Sequence, residues 1–157
     1  MSDAAGLAGP GGAVERIECD GILYALIIRG NFDAPGIHFF TEDTAPQQLA
    51  YMHHPAGKPI APHLHLPVER RIGTTSETLV VRKGRLRVDL YREDRSFLES
   101  RVLSGGDIIL LCAGGHGFDC LEETEMVEIK QGPYAGADDK VRFAPGDGPA
   151  AGGNHGR

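Results

Sequence analysis

ETLVVRKGRLRVDLY, residues 77–91, decides the fold class. After Gly84, the apolar Leu86, Val88 and Leu90 alternate with Arg85, Arg87 and Asp89. One apolar and one charged face at a two-residue period is the signature of a half-buried strand. Before Gly84, residues 77–83 form a valine-rich run of strand length. Glycine tolerates the positive φ of a tight turn, so the stretch reads as two antiparallel strands joined at Gly84.

The same pattern continues on both sides. Runs at 96–103 and 108–112 flank the turn SGGD and read as a second pair. Runs at 116–121 and 126–131 read as a third, and residues 22–29, 37–41 and 48–54 as further strands. No convincing helical period interrupts them, and Gly, Pro, Asn and Asp recur about every ten residues, the rhythm of a β-sandwich or barrel. The expectation is an all-β chain of about ten strands. Closing such a sheet on itself removes its edges and leaves an interior able to hold a ligand. Residues 1–13 and 144–157 are rich in Gly, Pro and Ala, and read as flexible tails around one barrel domain at 14–143.

Composition narrows the function classes. The 157 residues are 41% hydrophobic and 24% charged, the mixture of a soluble domain. A formal net charge of −6, with no basic run longer than two residues, argues against a nucleic-acid partner. No apolar stretch approaches the roughly 18 residues of a membrane span. The N-terminus has neither a basic start nor an apolar core, so it is not a secretory signal. Cys19, Cys112 and Cys120 are odd in number and lack zinc-finger spacing, which points to free thiols and a cytoplasmic location.

Chemistry concentrates in APHLHLPVERRIGTTSE, residues 61–77. On a strand, His63 and His65 point to the same side and form a two-nitrogen chelate. The wider spacing is Gly57, five residues, His63, one, His65, then Glu77, six residues, Gly84. Further on stand Gly106, five residues, Cys112, then Gly114 and His116. This resembles the two signature motifs of the cupin superfamily, over roughly residues 48–131. The chain differs from the family pattern in three places. Eleven residues separate His65 from Glu77 where the family has three or four, Cys112 stands where it has proline, and the step from Gly114 to His116 is one residue short. Glu69 fits the shorter spacing but has Ser76, not glycine, at the required distance, so Glu77 is the preferred carboxylate and Glu69 the alternative. Gly115 can take the unusual torsions that would still turn His116 inward.

The resemblance implies a double-stranded β-helix, a jelly-roll barrel with little helix, holding a divalent metal through His63, His65, Glu77 and His116. Three imidazoles and a carboxylate fill four places around a six-coordinate ion and leave two open. Such a set suits Fe, Mn, Zn, Ni or Co without choosing among them. Small cupins of this kind include dioxygenases and sugar isomerases or epimerases. The expected function is therefore a metal-dependent small-molecule enzyme, with no catalytic residue named. The alternative is a non-catalytic binding or sensor module. Arg70 and Arg71 would suit an anionic small-molecule ligand, since arginine grips carboxylates and phosphates with paired hydrogen bonds. Superfamily members commonly form homodimers through sheet faces and exchanged N-terminal strands, and residues 14–29 are apolar enough to take part.

Four other residues have plainer readings. His53 and His54 are adjacent, so one would face in and the other out. His38 reads as a strand residue near the surface. Cys120, four residues after His116, reads as a small buried filler on the same side of its strand.

Overall fold

The computed structural model describes residues 12–146. Its strands, in order, are β1 (Val14–Cys19), β2 (Ile22–Ile28), β3 (Gly36–Phe39), β4 (Ala50–His53), β5 (Glu77–Lys83), β6 (Arg85–Tyr91), β7 (Phe97–Ser104), β8 (Ile108–Leu111), β9 (Gly115–Cys120) and β10 (Glu125–Lys130). A single 3₁₀ turn, Gly136–Asp139, follows them. All strand pairs are antiparallel. The all-β expectation holds.

Three sheets form, ordered β1-β2-β8-β5-β10, β7-β6-β9 and β3-β4. The five-stranded sheet is covered on both faces at its centre. On one side Ala25, Ile27, Leu79, Val81, Ile109 and Leu111 pack against Leu86, Val88, Leu90 and Leu103 of the three-stranded sheet. On the other, Leu26, Ile28 and Leu110 pack against Phe32 and Phe40, with Leu49 and Tyr51 at the margin. Burial on both faces explains why β2 and β8 read as unbroken apolar runs, YALII and IILL, instead of alternating. The expected closed barrel is not what the described strands build. They form a sandwich of separate sheets with free edges at β1, β10, β7 and β9.

The expected strand pairs are corrected in the same way. β5 and β6 do not pair; β5 lies between β8 and β10, and β6 between β7 and β9. One residue separates them, which is too short for the two-residue loop of a tight hairpin. Gly84, at φ 85°, instead turns the chain from one sheet to the other. A Cβ there would strike the carbonyl of Glu123 and lie 2.8 Å from Thr124 Oγ1, so the corner is packed as well as sharp. β7 and β8 also belong to different sheets, as do β9 and β10. The buried Asp107 explains the first of these crossings. It accepts hydrogen bonds from the backbone N–H of Ser104 (2.9 Å) and Gly30 (2.8 Å), and from Arg29 Nη1 (2.9 Å), which ties the SGGD turn to the end of β2. At the second crossing, Leu121 N and Thr124 Oγ1 donate to the Arg85 carbonyl at 2.9 and 3.2 Å, wrapping the turn around the Gly84 corner.

An ion cluster joins the sheets. Glu15 on β1 accepts from Arg29 Nε at 2.7 Å and from Arg101 Nε, on β7, at 2.8 Å. Burial alone would lift the Glu15 carboxyl, but the Arg101 and Arg29 guanidiniums outweigh it and hold the group below the usual carboxylate range.

The expected tails fall mostly on residues 1–11 and 147–157, outside the described residues. Ala13, placed in the N-terminal tail, is in fact buried, and its carbonyl accepts from Arg29 N at 2.8 Å. Among the described residues no helix is long and apolar enough to cross a membrane.

Candidate metal centre

Glu77 opens β5 and is 7% exposed. His116 is the second residue of β9. Although 39 residues apart, they meet: His116 Nε2 donates to Glu77 Oε2 at 2.9 Å. The meeting follows from register. His116 lies opposite Leu90 on β6, so its side chain shares the inward face with the core leucines, and Glu77 lies opposite Leu111 on β8. The two strands present an imidazole and a carboxylate across the gap between the sheets.

The turn before β9 aims His116. Gly114, not Gly115, carries the positive φ, at 67°. A Cβ on Gly114 would collide with the carbonyl of Tyr91 and reach 2.7 Å from the Tyr24 ring. Gly115 serves through its missing side chain, because a Cβ there would lie 2.8 Å from Phe143. Glycine at both positions lets the chain pass between the Tyr24 and Phe143 rings and against Tyr91, and still deliver residue 116 inward.

Lys130 completes the charged group. It stands directly opposite Glu77 in the β5–β10 ladder, and its Nζ is 3.7 Å from Glu77 Oε1. The same ammonium lies 3.6 Å from Asp139 and 3.8 Å from Glu128. Thr75 Oγ1 donates to Asp139 at 3.3 Å, and Gln131 Oε1 accepts from Ser76 N at 2.7 Å. These bonds fix the start of β5 to the end of β10, so the Glu77 carboxylate sits on a rigid base, with one oxygen toward the histidine and the other toward the lysine.

The side of the sandwich next to this group is open. His116, Phe118 and Cys120 all face inward, opposite Leu90, Val88 and Leu86. Phe118 is nevertheless 39% exposed, and Cys120 is exposed and free. The buried-filler reading of Cys120 is therefore corrected: β9 is an edge strand, and its inward face widens into solvent beyond His116.

His63 and His65 lie elsewhere than expected. They are not on a strand. Residues 54–76 have no regular structure, and residues 55–75 are all exposed. Pro55, Pro59, Pro62 and Pro67 explain this, since each lacks the N–H a sheet ladder needs and fixes its own φ. The two rings still come together, with centroids 5.3 Å apart and planes at 80°. His63 Nδ1 donates to the Ala61 carbonyl at 3.1 Å, which leaves Nε2 as the ring's free lone pair. Glu69, the alternative carboxylate, belongs to the same exposed arm and pairs with Arg71 at 3.3 Å. The carboxylate that meets His116 is Glu77.

The structure thus joins the expected ligands as two pairs, Glu77 with His116 inside the sandwich and His63 with His65 on the arm. Among the described residues, no three His, Cys, Asp or Glu side chains are grouped closely enough to hold a metal ion. In donor chemistry each pair fits a divalent first-row metal, one as nitrogen plus oxygen and the other as two nitrogens. Of the remaining histidines, His53 Nδ1 donates to Asp33 at 2.7 Å and His38 Nε2 to the Pro35 carbonyl at 2.9 Å, so both have structural partners. Lys130 and Asp139 were not singled out from sequence, because their place beside Glu77 depends on a register that spacing does not display. The chain matches no protein-family model, no curated protein and no solved structure.

Proposed function

We propose that this protein is a small-molecule enzyme with a double-stranded β-helix core, working with a divalent metal held by His63, His65, Glu77 and His116. The observation that carries the reading is the convergence of His116 and Glu77 to 2.9 Å from two different sheets, at the positions the spacing selected. Strand order supports the fold half of the proposal. From β5 to β10 the chain passes repeatedly between the two facing sheets, as a double-stranded β-helix does. Completing the ligand set requires the arm to bring His63 and His65 to the open side of the sandwich, beside Glu77 and His116.

A metal bound there supplies Lewis acidity and open coordination places for a substrate oxygen, water or O2. The chain's own residues do the rest. Glu77 would hold the ion through the carboxylate oxygen that now meets His116, while Lys130 stands by the other. His116 is fixed by the packed Gly114–Gly115 turn. Phe118, tilted at 34° to the His116 ring with centroids 5.2 Å apart, walls the site on its solvent side. Arg70 and Arg71 travel with the arm and suit an anionic substrate.

The test is elemental analysis of protein purified without a chelating tag. The native chain should hold about one equivalent of a first-row metal, in keeping with a single four-ligand set. Glu77→Gln and His116→Ala should each lose most of it. Metal content unchanged in both variants would contradict the site. Metal retained with no turnover across sugars, sugar nucleotides and small acids would leave the site intact and make the protein a binding module.

A further inference from the structure

Glu77 and His116 belong to different sheets, so no ladder of backbone hydrogen bonds sets the distance between them. A contact of 2.9 Å across such a gap needs another constraint. Residues 131–143, which leave β10 and join no sheet, touch the surroundings of both side chains.

One end of this segment is tied beside Glu77. Gln131 Oε1 accepts from the N–H of Ser76, the residue before Glu77, at 2.7 Å. Asp139 Oδ1 accepts from Thr75 Oγ1 at 3.3 Å, and its Oδ2 lies 3.6 Å from Nζ of Lys130, which stands opposite Glu77. The other end is tied beside His116. The Phe143 ring packs edge-on against Tyr91, with centroids 5.2 Å apart, and under the Arg95 guanidinium at 5.8 Å. Tyr91 is opposite Gly115 in the β6–β9 ladder, and the Phe143 ring fills the space where a side chain on Gly115 would go. Between these anchors Tyr134 and Val141 are exposed, so the middle of the segment adds little to the core. Glu77, Lys130, Tyr91 and Gly115 are each the first or last residue of a strand, so the segment crosses one end of the sandwich.

We propose that residues 131–143 form a strap that holds Glu77 and His116 in contact, with Asp139 and Phe143 as its positioning residues. Asp139 acts through Thr75 and Lys130 and sets the start of β5. Phe143 acts through Gly115 and presses the turn that aims residue 116 at the carboxylate. The fit at this second anchor is one of volume: glycine at 115 leaves room for the ring at 143, and a methyl group at 115 takes that room away. The ring that positions His116 thus comes from a segment outside both sheets, not from the strand that carries the histidine. The strap deepens the metal reading, because the pair it holds is the fixed half of the proposed centre. It concerns only how that pair is held, and so can be scored without any metal.

Exchange of the His116 imidazole proton tests it, followed by heteronuclear magnetic resonance on full-length protein labelled at histidine, in EDTA at neutral pH. The native Nε2–H, donated to Glu77, should exchange far more slowly than the ring proton of the exposed His65. Phe143→Ala and Asp139→Ala should each speed that exchange by about tenfold or more, the scale of an ordinary single-site loss. Phe97→Ala, which removes another ring packed on Tyr91, should leave it unchanged. Gly115→Ala should act like Phe143→Ala. The double variant Gly115→Ala/Phe143→Ala should recover most of the native protection, because the new methyl occupies space the ring has vacated. Far-ultraviolet spectra should be the same throughout. A native His116 proton as fast as that of His65, unchanged exchange in Phe143→Ala and Asp139→Ala, equal damage from Phe97→Ala, or a double variant no better than its singles would each overturn the strap. Metal content, measured separately without EDTA, scores the ligand set: native protein with a slow His116 proton and no metal would count against that set and not against the strap.

Discussion

The interior of the sandwich and the arm at residues 55–75 obey opposite rules. In the interior, Leu86, Val88 and Leu103 are fully enclosed, and the buried Asp107 is held by hydrogen bonds from Ser104 N, Gly30 N and Arg29. On the arm, side chains of similar size and polarity stand in solvent, and the backbone makes no ladder. Hydrophobicity does not separate the two. Proline does: four in the arm, and none within any strand. A chain segment that cannot offer regular N–H groups cannot join a sheet, however apolar it is. The candidate metal centre is split along this line, one ligand pair on rigid strands and the other on the arm.

The largest effect expected from this contrast is on stability. Leu86→Ala empties a site closed on all sides and should cost about 2–5 kcal/mol in urea unfolding. Pro62→Ala, on the arm, should change the same measurement by less than about 0.5 kcal/mol. Equal costs would show that the arm is packed as firmly as the core.

A pair of glycines sharpens the comparison. Gly57 and Gly114 both have positive φ, but a Cβ on Gly57 meets nothing within 4 Å, whereas one on Gly114 meets Tyr91 and Tyr24. Gly57→Ala should therefore cost only the roughly 1–2 kcal/mol of a left-handed alanine. Gly114→Ala should add about 1–3 kcal/mol for overpacking and displace His116 as well. Thermal unfolding, with metal content read on the same samples, checks both.

Acid should act on the ion cluster between the sheets and not on the arm. Glu15 titrates below its usual range in the folded chain, so its contribution is complete above the unfolded pKa of roughly 4.3 and disappears as pH falls through the lowered folded value. Glu15→Gln should reduce stability at neutral pH and flatten the loss on acidification. The Glu69–Arg71 pair, with side chains 81% and 93% exposed, should contribute nothing measurable to either. Matching acid profiles for the native chain and Glu15→Gln would remove the ion cluster as a link between sheets.

The smallest effect is chemical. Burial pushes the Cys112 thiol up to about 11, and Cys120 is exposed on the open edge. Iodoacetamide near neutral pH should label Cys120 well before Cys112, followed by mass spectrometry of the peptides.

What the sequence displayed was local. The alternation from Arg85 to Tyr91 located β6, and apolar runs located eight other strands to within a few residues. β1 was missed, because its one fully buried side chain, Ile17, leaves no alternation to see. Partners were misread, because short connections suggest hairpins, and nothing near Gly84 says that its chain crosses between sheets. The same limit governs the candidate site. Spacing picked out Glu77 and His116, and the fold joined them. It could not show that Lys130 stands opposite Glu77, since that depends on a ladder between residues 53 positions apart. The prolines around His63 are the reason no strand forms there, although the two-residue spacing of the histidines, taken alone, fits one.

The central claim is that the Glu77–His116 pair is the fixed half of one four-ligand metal site. X-ray absorption at the edge of the bound metal tests it most directly, because imidazole rings leave a multiple-scattering signature that can be counted. The account predicts three imidazoles in the native protein and two in His63→Ala or His65→Ala. A bound metal with a single imidazole, unchanged in those variants, would contradict it.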